Sequence, residues 1–436
     1  MRFTLKKANR AVRWTIGCAV GLMALLFALH SLLPLVLSSQ RIKPRFLSVL
    51  EQHVPGQIDF DRLRVTLLPM PGVTVGGVNW HLPGRFDLKA ADASVYVDVW
   101  PLIKGRVRID RVLVHSPAIT VERVESSQKD LKRFTWPPDD AALRTMHAVL
   151  AELPAVAHLL LKNGSVQLVG PDGKISLAED MTVEMATSAQ RIQLTVTGQT
   201  ADRGRIEAAA EMDPNTLDGR ARIDWTRISI DHWALLLGNS EDLVSIRSTM
   251  ALHLQLQSHG FQTFQCDFEA SAPEMVLARG AGQTEIKAFA TAGTATLTAE
   301  QYEVTIHRLT ADAPRLNADM TFMQHFTKPV ASDAIQLFAN AKNCDVTRLR
   351  AALIALVAEA GELNLLKIIE GGELVQMTLW TTGPDWQHLF HQSRLKVTGT
   401  AQGALIRIPG PGPGLNLIDV AGQWQLAGGV LWVRQA

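Results

Sequence analysis

The amino-acid sequence predicts a mainly β (α+β) protein: an N-terminal transmembrane helix, then a long, twisted antiparallel β-sheet curled into a groove or sandwich, with a few short helices. Three observations carry that expectation. An uncharged run lies near the N-terminus, apolar residues recur at every second position in many later segments, and clusters of Pro, Gly, Asn and Asp separate those segments.

Residues 14–37 contain no Asp, Glu, Lys or Arg. As an α-helix rising 1.5 Å per residue they cover ~36 Å, enough to cross a hydrocarbon core of ~30 Å. Arg2, Lys6, Lys7, Arg10 and Arg13 precede the run, and Arg41, Lys43 and Arg45 follow it. The heavier basic flank favours an N-terminus inside and the remainder outside. A cleaved signal peptide would have a shorter apolar stretch and small residues before the cut, and this run has neither. Cys18 sits too early in it for a lipid-attached mature terminus.

Beyond the anchor the dominant period is two. Leu63, Val65 and Leu67 alternate with polar residues, as do Val95, Val97 and Val99, then Val107 and Ile109. The rhythm returns at Ile192, Leu194 and Val196; at Leu252, Leu254 and Leu256; at Tyr302, Val304 and Ile306; at Val375, Met377 and Leu379; and at Trp424 and Leu426. Side chains of a strand point to opposite faces in turn, so each segment carries one apolar and one polar face.

Turns are expected at Pro69-Met70-Pro71-Gly72, Lys162-Asn163-Gly164, Pro171-Asp172-Gly173 and Asp213-Pro214-Asn215, and a loop at 409–414. Close strand spacing without intervening amphipathic helices predicts antiparallel pairing. Short helices are expected at 43–53, 139–149 and 231–237. The strongest helical spacing is at 346–369, with Gly371-Gly372 as its stop. Residues 428–433 read as a strand at an open edge, which predicts either further chain or a covering molecule.

Composition narrows the function classes. Net charge is +1, from 43 basic and 42 acidic residues, without the basic excess of a general nucleic-acid binder. Of three cysteines only Cys266 and Cys344 lie outside the apolar run; they are either a disulfide in an oxidising compartment or two buried thiols. No zinc-protease helix motif, paired-cysteine metal motif or nucleophile elbow is present. His388 and His391 beside Asp385 form the nearest approach to a ligand cluster, with nothing to complete it. The sequence therefore predicts no enzyme, no catalytic or metal residue and no cofactor.

The order of segments after the anchor resembles the AsmA-like family. Residues 60–75 run from a strand through Pro69-Met70-Pro71-Gly72 into a second strand. Val95 to Val99 then leads into Trp100-Pro101-Leu102-Ile103-Lys104-Gly105, and paired strands follow at 108–121. Residues 161–168 are similar to the family's recurring strand unit, and 399–432 to its C-terminal pattern. The likeness is closest over residues 12–125 and continues in style to the end.

The resemblance implies a relation to AsmA, TamB and YhdP, which are inner-membrane proteins with long periplasmic β-regions associated with phospholipid transport and outer-membrane biogenesis. The implied layout is a cytoplasmic segment (1–13), a transmembrane helix (14–37), an AsmA-like N-terminal β-region (43–125), a helical or loop linker (126–160) and a repetitive β-rich periplasmic region (161–436). The chain would be single-pass in a bacterial inner membrane. Its partners would be that membrane, phospholipid acyl chains and other envelope proteins, and no nucleic acid.

An apolar sheet face must leave water, at ~25 cal/mol per Å². It does so in a sealed core, or in a dry groove that receives acyl chains. Leu63, Val65, Leu67, Val73, Val75, Val95, Val97, Val99, Val107 and Ile109 are the candidate lipid-groove residues.

Overall fold

The computed structural model describes residues 56–434, except 67–69, 83–85, 105–107, 123–155, 171–172, 189, 232–244, 280–281, 327–333, 351–368, 390, 392, 409–414 and 429. The run at 14–37 and the helices expected at 43–53 and 139–149 lie outside the described residues. Among the described residues no helix is long and apolar enough to cross a membrane. What is described is mainly β, with 21 strands and few short helices, in two compact units.

The first unit holds β1 (Gln57–Asp59), β2 (Arg62–Thr66), β3 (Gly72–Leu82), β4 (Phe86–Val97), β5 (Ile109–His115), β6 (Ala118–Glu122), β7 (Val156–Gly170) and β8 (Gly173–Thr187). Two short strands, β1 and β2, lie end to end along β3. The opposite edge of β3 pairs with β4, and β4 in turn pairs with β5 and β6. Ser116, at φ 49, interrupts what is otherwise one line from β5 into β6.

The expected all-antiparallel pairing fails at one place: β5 and β6 both pair with β7 in parallel. A parallel neighbour needs a crossover connection, and residues 123–155 lie between β6 and β7 in the sequence. The tripeptide Lys162-Asn163-Gly164 is also not a turn. It lies inside β7, where Asn163 takes φ 54 and the register against β8 shifts. Asn tolerates the left-handed region in a bulge as readily as in a turn, so the local signal was ambiguous.

The second unit is a meander of thirteen strands, each antiparallel to its chain neighbours. They are β9 (Ile192–Thr200), β10 (Arg205–Met212), β11 (Gly219–Ser229), β12 (Ser245–His259), β13 (Thr263–Arg279), β14 (Gly282–Leu297) and β15 (Gln301–Asp312), then β16 (Arg315–His325), β17 (Ile335–Asp345), β18 (Ile369–Gly383), β19 (Lys396–Ile408), β20 (Leu415–Ala427) and β21 (Val430–Arg434). Local chemistry closes the hairpins. Asp213 Oδ1 accepts from the Asn215 amide at 2.8 Å between β10 and β11. Between β14 and β15, Thr298 Oγ1 accepts from the amides of Glu300 and Gln301. Both are side chain-to-backbone turns of the kind Asp and Thr favour.

Two helical pieces pack on this unit. Asp345 caps residues 346–350, its Oδ1 accepting from the Arg348 amide at 3.2 Å. With Val346 and Leu349 this turn covers a cluster of Ala341, Cys344, Leu374, Leu395, Val397, Trp424 and Leu426. The helix at 386–389 places Leu389, fully buried, against Phe322 and Ile335. The expected stop at Gly371-Gly372 is corrected: both glycines lie within β18, which begins at Ile369. Gly372 has φ 112 and marks a register shift against β19, a use of glycine as legitimate as ending a helix.

Candidate functional site

Of the ten candidate groove residues, Leu67 and Val107 lie outside the described residues. Seven others share paired positions in the first unit. Leu63 is opposite Val75 and Val65 opposite Val73 across β2 and β3. Val73 is opposite Val95 across β3 and β4, and Val97 opposite Ile109 across β4 and β5. All seven are half-buried. The alternate positions are polar: Thr74 and Ser94 share a 2.9 Å hydrogen bond between their hydroxyls.

The tenth residue, Val99, requires correction. The strand ends at Val97, and Val99 opens the short helix Val99–Ile103, where it is 43% exposed beside a still more exposed Trp100. Pro101 favours the first turn of a helix and cannot donate to a sheet ladder, so it ends the alternation there.

The second unit extends the pattern much further. Register alone aligns Val196, Ala208, Ile223, Leu254, Phe268 and Gly293 as successive opposite residues from β9 to β14. The same row continues through Ile306, Met320, Ala339, Leu379, Val397 and Leu426 to β20. No polar side chain interrupts it. At ~4.8 Å per strand, eleven steps span ~53 Å. A second row, Leu194, Ala210, Ala221, Leu256, Cys266, Ala295 and Val304, runs beside it.

How this face is covered changes along its length. At β19 and β20 the row is sealed: Val397 and Leu426 are buried, and a void of only about 30 Å³ remains among Val346, Leu374, Ala401, Ala404, Val420 and Trp424. From β10 to β13, Ala208, Ile223, Leu254 and Phe268 stay half-buried although each has a strand on both sides. Their remaining exposure therefore comes from the face itself. Sequence reading had found the period at Ile192–Val196 and Leu252–Leu256 without naming these residues as a site. The same alternation would have identified them.

The opposite face is polar, and between β9 and β12 its charges are paired. Glu211 lies 2.6 Å from Arg220 and 3.6 Å from Arg191. Asp224 meets Arg222 at 2.7 Å and also contacts His253. Hydrogen bonding from Arg222, helped by His253, holds the Asp224 carboxyl below the ordinary carboxylate value despite slight burial. Asp202 has a structural role at the β9–β10 turn. Burial opposes its ionisation, but hydrogen bonds from the Thr200 hydroxyl and the Ser229 and Gly204 amides outweigh that and lower its pKa.

Cys266 and Cys344 are free thiols on β13 and β17. Four strand spacings, ~19 Å, separate those strands, well beyond the ~7 Å Cα limit of a disulfide. Among the described residues no group of three or more His, Cys, Asp or Glu side chains is placed to hold a metal. His388 Nδ1 lies 2.7 Å from Asp385 and His391 Nδ1 lies 2.7 Å from Ser393, so the two imidazoles make separate contacts. No protein-family model matches the chain, and no curated protein matches it.

Proposed function

We propose that the chain is an AsmA-like protein anchored in a bacterial inner membrane by residues 14–37, whose periplasmic β-region holds phospholipid acyl chains on its apolar face during phospholipid transport or outer-membrane biogenesis. The observation that carries this reading is the uninterrupted apolar row from Val196 to Leu426, half-buried through Ala208, Ile223, Leu254 and Phe268. A contiguous apolar face left in water is costly, and large exposed apolar patches mark binding surfaces. Acyl chains suit it because they require dispersion contacts and dryness and bring no polar group to satisfy. The reading includes no catalytic step.

A second reading is favoured by the sealed end. Around Cys344, Leu374, Val397 and Leu389 the same face is a filled core. A structural or regulatory envelope-assembly factor, working through protein contacts without lipid carriage, would need no more than that. Mass spectrometry of lipid extracted with the purified full chain separates the two. Stoichiometric phospholipid is expected, with loss in Ile223→Asp and Phe268→Asp; lipid-free protein, or unchanged lipid in both variants, would overturn the first reading.

A further inference from the structure

We propose that the polar face of β18 to β21 binds an oligosaccharide bearing carboxylate or phosphate groups. Register stacks Gln376, Thr400, Gln423 and Arg434 in one row, and Thr378, Thr398, Gln425 and Trp432 in the next. These rows border a cavity of about 460 Å³, within the ~300–1,000 Å³ range of small-ligand sites. They point away from the apolar rows, so the site stands whether or not the other face holds lipid.

Three features select a sugar. Gln amides and Thr hydroxyls both donate and accept hydrogen bonds, as ring hydroxyls do, and here they come from adjacent strands of a rigid sheet. Trp432 is 49% exposed at the margin of the cavity, offering a flat apolar surface to the C–H face of a pyranose. The third feature is charge. Arg434 ends the first row, and Lys396, 4.5 Å above the Trp380 ring, lies in the adjoining row with Trp380 and Ala427; among the described residues none of these three rows contains a carboxylate. Between β9 and β12, by contrast, Arg220 and Arg222 are matched by Glu211 and Asp224. Positive charge left unmatched on an otherwise amide- and hydroxyl-lined surface complements anionic substituents on the sugar.

The test is isothermal titration calorimetry of the full chain in detergent micelles. The probes are tetragalacturonate, its uncharged counterpart galactotetraose, and inorganic phosphate. Tetragalacturonate is expected to bind at least about tenfold more tightly than the neutral sugar, equivalent to about 1.4 kcal/mol. Trp432→Ala and Gln423→Ala should each weaken both sugars, whereas Arg434→Gln should weaken only the charged one. Circular dichroism melts confirm that the variants are folded, and Gln423→Ala removes only an exposed side chain if Trp432→Ala disturbs the edge strand. Absence of binding by tetragalacturonate, wild-type affinity in both Trp432→Ala and Gln423→Ala, or phosphate competing at equal affinity would overturn the proposal.

Discussion

Replacing Leu254 by Asp distinguishes an accessible apolar face from a sealed one. Leu254 is in the middle of β12, opposite Ile223 on one side and Phe268 on the other, and is half-buried. Full burial of a leucine contributes ~1.5–3 kcal/mol, so losing half of it costs about 1 kcal/mol. Asp fits a strand less well than Leu by up to about 1 kcal/mol. On an accessible face the new carboxylate keeps its water, and the total is about 2 kcal/mol. For a unit of this size that is a fall of about 4–8 °C in Tm. In a sealed interior the unpaired carboxylate would raise the loss above about 4 kcal/mol, enough to prevent folding in many domains. Thermal melts of the full chain by circular dichroism, with co-purified phospholipid measured on the same preparations, read both quantities. A cooperative fold with a modestly lower Tm and depleted lipid is expected. Failure to fold, or a Tm loss beyond about 12 °C, would refute the accessible face; normal lipid content would refute the role of this row in holding it.

Two further outcomes follow from individual side chains. Asp202→Ala removes the acceptor for Thr200, Gly204 and Ser229 and should destabilise the second unit by about 1–3 kcal/mol in denaturant titrations. Because the folded Asp202 pKa lies below its ordinary value, its stabilisation is complete above the free-carboxylate pKa and is lost as pH falls through the lowered folded value. Asp202→Asn should therefore flatten the acid limb of stability against pH; an unchanged acid limb would contradict this. For Cys344, burial pushes the thiol pKa up, outweighing hydrogen bonds from neighbouring backbone. Peptide mapping after iodoacetamide at neutral pH should find Cys344 unmodified in folded protein and fully modified in denaturant. Rapid native labelling would show that the cluster around it opens.

Much of the strand content was legible because alternation is a local property. Ile192 to Val196 and Leu252 to Leu256 declare their faces within five residues, and Asp213-Pro214-Asn215 carries its own turn chemistry. Elements that depend on distant partners were not legible. The parallel pairing of Ile119 with Val166 joins residues whose own sequences are indistinguishable from antiparallel strands. Asn163 and Gly372 supply backbone freedom that serves a bulge as well as a turn or a helix end. Val99 falls outside the strand because the apolar period runs one step past Val97, where the chain turns into the short helix that contains Pro101. Register sets Leu63 opposite Val75, Val65 opposite Val73 and Val73 opposite Val95, a placement that alternation foreshadows, but the coverage of a face depends on packing between distant segments. Likewise, Lys396 on β19 is distant in sequence from Trp432 and Arg434 on β21, and the three come onto one face only through the register of β19, β20 and β21.

In the meander from β9 to β21 every strand pairs only with those before and after it in the chain. Apart from the longer connections between β11 and β12 and between β17 and β18, its assembly therefore involves short loop closures, and hairpins can be added in the order in which they are synthesised, each using the last as a template. The first unit lacks that freedom, since β5 and β6 must wait for β7 to return across an intervening stretch of more than thirty residues. Gain or loss of a whole hairpin within the meander would leave every other register intact, so its length can change in evolution without a new topology.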